Sequence, residues 1–440
     1  MILVVALGLV GCGGGCSGSS REATAPEPAP AGAPEPEAPI VIPRAPRVQF
    51  APPTRLAKTP RPITAGNAKL AKTLGQTRAT LLELVDTYGR NPQSPWAIAH
   101  AMLALGPEMK VPGFEGSAVD FLAENYGQPH TVGADELWTF PPRLGQQLVD
   151  VHTDLLLKAF TEGGLSPDRK VTVRGKETTL GELYRRSLYR AWVDLETGRT
   201  GYMDRAFNDA PWSLQALTAW APTHLQYMAE GDHPMRLQDL TRGLRETIAR
   251  ETRVMKKARD AGRFIQKDAR KGFFRYTCGG QHMLQGLTYA VARGFGNAAD
   301  KHEVCEQIEL LGWRTDLELQ TVDPIIEQGT PDIQILLNVQ RLKYLGHNLE
   351  TVHKAAALGV CELTDQQLAA SQRVARELVR TVQDLGKLGA FGDLSIIARD
   401  PRYARMRQGG GAQVVLDLIG DSAHAIRGID MATGQGVIRY

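Results

Sequence analysis

Three short stretches of this 440-residue sequence decide its fold: HAMLAL at residues 100–105, HMLQGL at residues 282–287 and HAIRGI at residues 424–429. Each follows the pattern His, any residue, apolar, any residue, small, apolar. Two looser relatives, QALTAW at 215–220 and QRLKYL at 340–345, carry Gln in place of His. Apolar residues at this spacing predict buried helices. A small residue inside such a helix lets a neighbouring helix approach closely.

Amphipathic helices are predicted between these buried ones. Val374, Leu378 and Val382 form an apolar stripe within 364–386, and a similar stripe runs through 235–258. Apolar residues on one side only predict helices that cover an inner layer and face solvent. The alternation predicts an all-α fold, an (α/α) toroid-like helical domain with inner and outer helices. An irregular helical bundle is the alternative.

Local signals mark several boundaries of these elements. Ser94 followed by Pro95 predicts an N-cap with proline at the first helical position. Thr364 and Gln367 have the spacing of a capping box. Strand signals are few, and only VTVRGKETTL at 171–180 predicts a small β-hairpin insertion.

The N-terminus resembles the signal peptide of a bacterial lipoprotein. Ile2 to Val10 form an apolar run of h-region length, well short of the about 20 residues needed to span a bilayer. The run ends in Leu9-Val10-Gly11-Cys12, which matches a lipobox. The resemblance implies cleavage before Cys12 and a diacylglycerol on its sulfur. No acidic residue directly follows Cys12, which by the same resemblance favours sorting to the outer membrane.

The sequence predicts three parts: a signal peptide at 1–11, lipidated Cys12 with a disordered tether over 12–66, and a single large helical domain at 67–440. Twelve of the 26 prolines lie between Pro26 and Pro62. Proline fixes φ and removes a backbone donor, so the tether should be extended and solvated, without a core. At about 3.1 Å per residue it could reach on the order of 100 Å from a membrane.

The histidine stretches also predict a site. If they are equivalent, His100, His282 and His424 lie near the starts of inner helices and converge at one mouth of the ring. Cys278 lies one helical turn before His282 and could join a polar or metal site. No paired C-x-x-C or H-x-x-x-H motif accompanies them, so we expect no metal and no cofactor. The alternative is that each histidine hydrogen-bonds within the interior.

The sequence CGGQHM at 278–283 resembles the thioester motif of the complement and α2-macroglobulin family, which reads G-C-G-E-Q followed by a polar residue and Met. Cys278, Gly279 and Gln281 match, and His282 takes the polar position. The resemblance implies that the Cys278 sulfur attacks the Gln281 carbonyl and stores an electrophile for covalent capture. Thioester domains of that family are themselves (α/α) toroids. The alternative is that Cys278 is a small buried residue.

Three cysteines follow the leader: Cys278, Cys305 and Cys361. Outside the cytosol disulfides are allowed, and a bridge between Cys305 and Cys361 would leave Cys278 free to react. Three buried free thiols are the interpretation that we favour, because free cysteine is among the most buried residue types.

Carboxylates raise a second enzymatic hypothesis, a glycan-active enzyme. Acidic residues cluster in a stretch that we expect to be rich in loops: Asp316, Glu318, Asp323, Glu327 and Asp332. Glycan-cleaving enzymes use two carboxylates, and helical toroids host such enzymes. Tryptophans that could stack on sugars are Trp96, Trp138, Trp212 and Trp220.

Charge and missing motifs narrow the function. A net charge of +3 indicates no dedicated polyanion partner, and nucleic acid is not expected outside the cytosol. The chain has no Walker loop, HExxH helix, dinucleotide fingerprint or nucleophile elbow. These observations favour a membrane-anchored lipoprotein that binds or scaffolds a cell-envelope polymer or protein. Thioester capture and glycan cleavage remain the enzymatic alternatives.

Lipidation of Cys12 gives a direct prediction. Cys12→Ala removes the acceptor sulfur, so the protein should move from the membrane fraction to the soluble fraction on ultracentrifugation of lysed cells. Cys16→Ala is the matched control, because Cys16 is preceded only by glycines and fits the lipobox poorly. Unchanged fractionation of the Cys12→Ala protein would contradict the assignment.

Overall fold

The structure is a computed structural model, and the residues that it describes are 44–50, 60–202, 209–265, 280–404 and 410–439. The predicted signal peptide, Cys12, most of the tether and Cys278 lie outside these residues. Among the described helices, none combines the length and the apolar character needed to cross a membrane.

Two layers of helices build the described domain. The outer layer comprises α1 (Ala68–Tyr88), α3 (Ala118–Tyr126), α5 (Leu180–Arg190), α7 (Leu237–Asp260), α9 (Ala298–Gln328) and α11 (Asp365–Lys387). The inner layer comprises α2 (Pro95–Leu105), α4 (Leu155–Glu162), α6 (Ala210–Trp220), α8 (Gln281–Ala292), α10 (Pro331–Ala357) and α14 (Gly410–Ala432). Two short helices, α12 (Leu394–Arg399) and α13 (Pro401–Ala404), precede α14.

The inner helices close into a ring. Each packs against the next along the chain, from α2 through α4, α6, α8 and α10 to α14, and α14 packs back against α2. Each outer helix packs on at least one inner helix that is next to it in sequence. The fold is therefore all-α and toroid-like, as predicted, rather than an irregular bundle.

Burial differs between the two layers as the sequence pattern predicts. In α8 every residue from Gln281 to Ala290 is buried, and in α2 every residue from Pro95 to Leu103 is buried. In α11 burial is confined to one stripe that includes Leu378. Helices that are apolar on all sides need neighbours on all sides, and a ring covered by an outer layer supplies them.

The predicted helix starts are also confirmed. The Ser94 hydroxyl accepts a hydrogen bond from the Ala97 amide, and Pro95 is the first residue of α2. Thr364 and Gln367 form a reciprocal capping box at the start of α11. These caps satisfy backbone donors that a helix cannot satisfy internally.

Four antiparallel hairpins are present in the described residues, where the sequence predicted one. They are β1 (Gln128–Val132) with β2 (Asp135–Thr139), β3 (Arg143–Leu144) with β4 (Gln147–Leu148), β5 (Lys170–Val173) with β6 (Lys176–Thr179), and β7 (Gln226–Ala229) with β8 (His233–Arg236). The predicted hairpin at 171–180 is β5–β6. The strands of the other three are two to five residues long.

Two pieces of the predicted tether lie against the helical domain. Phe50 packs on Tyr184 of α5 with ring centroids 5.5 Å apart. Ile63 is 1% exposed, and its amide donates to the carbonyl of Ala432. Large apolar side chains gain free energy by burial, which the proline content around them does not prevent.

The closest helix contact in the ring is between α10 and α14. A Cβ added at Gly346 would lie 2.9 Å from the backbone of Ala425, and one at Gly428 would lie 2.7 Å from the carbonyl oxygen of Gly346. Gly428 is the small residue of the third histidine stretch. The small position of the pattern therefore permits close helix approach, as the sequence predicted.

This contact makes Gly346 sensitive to one added methyl group. We expect Gly346→Ala to lower the free energy of unfolding by about 1–3 kcal/mol, because the backbone of α14 must shift. Gly75→Ala is the matched control on α1, where nothing lies within 4 Å of the added Cβ. It should raise the free energy of unfolding by about 0.5–1 kcal/mol. Equilibrium urea unfolding measures both, and equal effects would contradict the close-contact interpretation.

Candidate functional site

Charged and imidazole side chains from the inner helices meet inside the ring. We call this set the ring centre; its members are His100, Lys158, Glu162, His282, His347, Glu350, Lys354, His424 and Arg427. Apart from Arg427, whose side chain is 15% exposed, all are buried. They come from α2, α4, α8, α10 and α14, so they converge only because the ring closes.

The four histidines of the ring centre lie side by side. The Nε2 atoms of His282 and His347 are 3.2 Å apart, and the rings of His347 and His424 have centroids 3.9 Å apart. His100 lies 5.6 Å from His424, centroid to centroid, and its Nδ1 donates to the carbonyl of Trp96 at 2.9 Å.

The structure thus brings together the predicted residues His100, His282 and His424. It does not place them all at helix starts, as the sequence predicted. His282 is the second residue of α8, but His100 and His424 lie in the middle of α2 and α14. They are therefore buried within the ring and not displayed at its mouth. The histidine pattern predicts which side chains face the interior of the ring, but it does not predict where the helix begins.

Glu350 binds groups from three directions. Its Oε1 accepts from Lys354 Nζ at 2.6 Å and from Arg427 Nε at 3.0 Å, while its Oε2 accepts from His424 Nδ1 at 2.7 Å. Burial raises the pKa of the Glu350 carboxyl, but the Lys354 ammonium and the imidazole contacts outweigh burial and hold that pKa well below its usual range. Glu350 is therefore an ionised carboxylate in a water-poor interior.

Glu162 is the second buried carboxylate and shares the same cations. It lies 2.6 Å from Lys354 Nζ, 3.2 Å from Lys158 Nζ and 3.4 Å from the Arg427 guanidinium, and it accepts a hydrogen bond from Gln215. Burial lowers the pKa of Lys158 to about 8. The ring centre is thus an ion network in which Lys158 is the cation that loses its proton most readily.

The imidazoles are neutral at physiological pH. Burial lowers the pKa of His100, His347 and His424 to about 3 and lowers that of His282 well below its usual value. A neutral imidazole has one nitrogen lone pair available to accept a hydrogen bond or bind a metal ion. The ring centre therefore contains four such groups, of which His347 and His424 lie against Glu350.

A second polar group lies where α4, α6 and α8 begin. His152 Nδ1 is 3.5 Å from an oxygen of Asp209, and the His152 ring stacks on Trp212. The Trp212 ring also contacts His282, and the centroids of these two rings are 4.3 Å apart. Trp212, predicted as a sugar-stacking residue, is therefore a buried link between two imidazoles.

The thioester residues are only partly described. Gln281 is the first residue of α8 and fully buried, and its amide nitrogen donates to the carbonyl of Tyr344 at 3.3 Å. Cys278 lies outside the described residues. The thioester therefore stays a prediction.

The acidic cluster is not in loops, which corrects that expectation. Asp316, Asp323 and their acidic neighbours lie on the long outer helix α9, and Asp332 lies in the first turn of α10. Asp316 faces Arg373 of α11 on the outside of the ring, with both side chains more than half exposed. Glu318 and Asp323 are largely buried and pair with the buried Arg314 and Arg341, so the cluster is divided between the solvated face of α9 and its contact with α10.

The cysteines are also paired differently from the interpretation that we favoured. Cys305 on α9 and Cys361 after α10 form a disulfide. Three free thiols are therefore excluded, and the bridge between Cys305 and Cys361 was the correct alternative. The two cysteines are 56 residues apart, and only the packing of α9 on α10 brings them together.

A solvent-accessible cavity of about 240 Å³ opens at the end of the ring where α4 and α14 finish. Its charged lining residues are Arg78, Glu162, Arg427, Asp430 and Arg439. Glu162 and Arg427 belong to both the cavity wall and the ring centre. The cavity therefore connects solvent to the buried ion network.

Sequence reasoning missed the contribution of α10. Lys343, His347, Glu350 and Lys354 follow one another at spacings of four, three and four residues, which places them on one face of the helix. Ionisable residues repeated along one face of a helix are a usable signal. It was overlooked because α10 matches the histidine pattern only loosely, through Gln340.

Stability should depend steeply on pH. The unfolded chain binds protons at histidine near pH 6.5, whereas His100, His347 and His424 in the folded state do so only near pH 3. Acid therefore favours unfolding. We expect the free energy of unfolding to fall below pH 6.5 by about 1.4 kcal/mol per pH unit for each of these groups, or about 4 kcal/mol per unit for three.

Urea unfolding at pH 7.5, 6 and 5 measures this dependence. His100→Gln should lessen the slope by the contribution of one group, since it removes one titrating imidazole. A free energy of unfolding that stays constant from pH 7.5 to pH 5 would show that these histidines are not buried as neutral groups.

Comparison with known proteins returned no match. No protein-family model, curated protein or solved structure is similar to this chain. Its function must therefore be inferred from its own side chains, and above all from the ring centre and the cavity that opens onto it.

Proposed function

We propose that this chain is an envelope lipoprotein, anchored in the outer membrane through acylated Cys12, whose helical ring binds single carboxylate groups of a cell-envelope polymer. The lipobox and the tether support the anchoring. The observation that carries the binding role is the arginine-lined cavity that opens onto the ring centre.

An export route is supported by the cysteine chemistry. Cys305 and Cys361 form a structural disulfide, and such bonds persist in oxidising compartments but are rare in the cytosol. The tether then holds the ring away from the lipid surface. Pieces of the tether that pack on the domain, such as Phe50 and Ile63, fix where the extended part ends.

The ring centre is not explained by stability alone. Replacing buried ion pairs with apolar residues of similar volume is often neutral or stabilising. Glu162, Glu350 and Lys354 are nevertheless fully buried together. A retained network of this kind at the base of an open cavity fits a binding role, because its charges hold Arg427 in position at the cavity wall.

The cavity fits a carboxylate-bearing ligand. Guanidinium groups of Arg78, Arg427 and Arg439 line it, and guanidinium recognises carboxylates with paired hydrogen bonds. Arg78 is held by Asp430 and Arg427 by the two buried carboxylates. Arg439 is exposed, and its guanidinium also donates to the carbonyl of Gly163 at 3.5 Å. It is therefore the arginine best placed to meet a ligand first.

Binding to purified peptidoglycan sacculi, which carry peptide carboxylates, tests this proposal. The full chain with Cys12→Ala is incubated with sacculi and sedimented, and bound protein is quantified against protein concentration. We expect saturable binding that Arg439→Ala weakens about tenfold, since a hydrogen bond to a charged group contributes about 1.5–3 kcal/mol. Arg373→Ala, an exposed arginine on the outer helix α11, is the matched control and should bind like the parent.

Three outcomes count against this function. Absence of sedimentation with sacculi would remove the polymer as partner. An equal loss of binding in the Arg439→Ala and Arg373→Ala proteins would show a non-specific charge effect. Release of soluble glycan fragments would instead support the glycan-active alternative.

A further inference from the structure

Three ligand-type atoms face one another inside the ring centre. They belong to His347, Glu350 and His424, and one ligand atom from each residue lies within 4.8 Å of the other two. Two of the separations are 2.7 Å, between Glu350 Oε2 and His424 Nδ1, and 3.8 Å, between Glu350 Oε2 and His347 Nδ1. Ligands about 2.0–2.2 Å from one tetrahedral zinc ion lie roughly 3.3–3.6 Å from one another, so ion binding would move Glu350 Oε2 and His424 Nδ1 apart and bring His347 Nδ1 closer.

One of these atoms has no hydrogen-bond partner. His347 is 1% exposed, and within the described residues its Nδ1 makes no hydrogen bond. A buried polar atom left unpaired is unfavourable by about 1–3 kcal/mol. His347 Nδ1 faces Oε2 of Glu350. Lys354 and Arg427 contact the other oxygen, Oε1.

Neighbouring side chains hold these three atoms in position, as hydrogen-bond partners of the ligands do around a bound metal ion. The other nitrogen of His347, Nε2, is 3.2 Å from His282 Nε2, so His282 can accept its proton and fix the ring. Lys354 and Arg427 both hold Oε1 of Glu350, which leaves Oε2 directed at the imidazoles. Metal-binding histidines commonly donate their second ring nitrogen in this way.

We propose that His347, Glu350 and His424 bind one divalent transition-metal ion, and Zn²⁺ is the ion used to test the site because two imidazoles and one carboxylate hold zinc in catalytic zinc sites. His347 and Glu350 are three residues apart on α10 and face the same way. This site is separate from polymer binding and does not depend on it.

Metal binding at these residues requires no net loss of an imidazole proton. His424 donates Nδ1–H to the ionised Glu350, and on metal binding it takes its other neutral tautomer, so no imidazole proton is lost. Burial has lowered the pKa of Lys158 to about 8, so this lysine can become neutral when the ion adds positive charge. Lys158 lies within electrostatic range of His282 and His424.

The sequence-based expectation of no metal rested on the absence of paired motifs. That expectation considered His100, His282 and His424, each on a different helix. The pair that matters here is His347 with Glu350, which the histidine pattern does not include. The predicted histidine His424 completes the set, and His282 acts as a positioning residue.

Metal titration of the full chain without a histidine tag tests the site. After dialysis against a chelator, Zn²⁺ is titrated by calorimetry, and Co²⁺ is added separately for its visible spectrum. We expect one Zn²⁺ per chain, intense Co²⁺ bands typical of low coordination number, and a higher melting temperature with Zn²⁺. No sulfur-to-cobalt charge-transfer band should accompany them, because the ligands are nitrogen and oxygen.

Histidine variants test whether Zn²⁺ binds at this site or at other histidines. His347→Gln and His424→Gln should each weaken Zn²⁺ binding at least 100-fold. His353→Gln is the matched control: His353 is also buried on α10, but it lies outside the ligand set. It should bind Zn²⁺ like the parent, and circular dichroism shows that each variant is folded.

Several results would overturn the site. One is a parent chain that binds no Zn²⁺. Another is equal loss of binding in the His347→Gln and His353→Gln proteins, which would mean that the helix and not the ligand is required. A thiolate charge-transfer band would place the ion at a cysteine such as Cys278. Sacculus binding is measured on the same variants, and it shows whether the metal site or the polymer proposal has failed.

Discussion

Two buried carboxylates, Glu162 on α4 and Glu350 on α10, share two cations, and the interior of the ring depends on that sharing. Lys354 contacts both carboxylates, and Arg427 on α14 also reaches both. An unpaired charge in such an interior is strongly unfavourable, and loss of one partner of a buried pair typically costs about 3–5 kcal/mol. The network therefore requires that three inner helices keep a fixed distance from one another.

The close packing of α10 on α14 makes this possible. Gly346 and Gly428 let the two backbones approach, which brings Glu350 within hydrogen-bond distance of His424 and Arg427. A larger residue at either glycine would separate the helices and lengthen these contacts. Helix packing and electrostatics are thus coupled, because the small residues set the distance across which the charged side chains pair.

The same network links the proposed metal site to the cavity. Arg427 lines the cavity and holds Oε1 of Glu350, whose Oε2 faces His347 and His424. Arg427 is therefore shared by the cavity wall and by the carboxylate of the proposed metal site.

The sequence by itself determined the two helix layers, the caps at Ser94 and Thr364, and the inward direction of His100, His282 and His424. Local periodicity and capping depend on neighbours three or four residues away, and such neighbours can be read from the chain. The tertiary structure alone decided the rest. It paired Cys305 with Cys361, placed the acidic stretch on the outer helix α9, and gathered Glu162, Glu350 and Arg427 from three helices. These contacts join residues far apart in sequence, so only the closure of the ring and the register of its helices fix them.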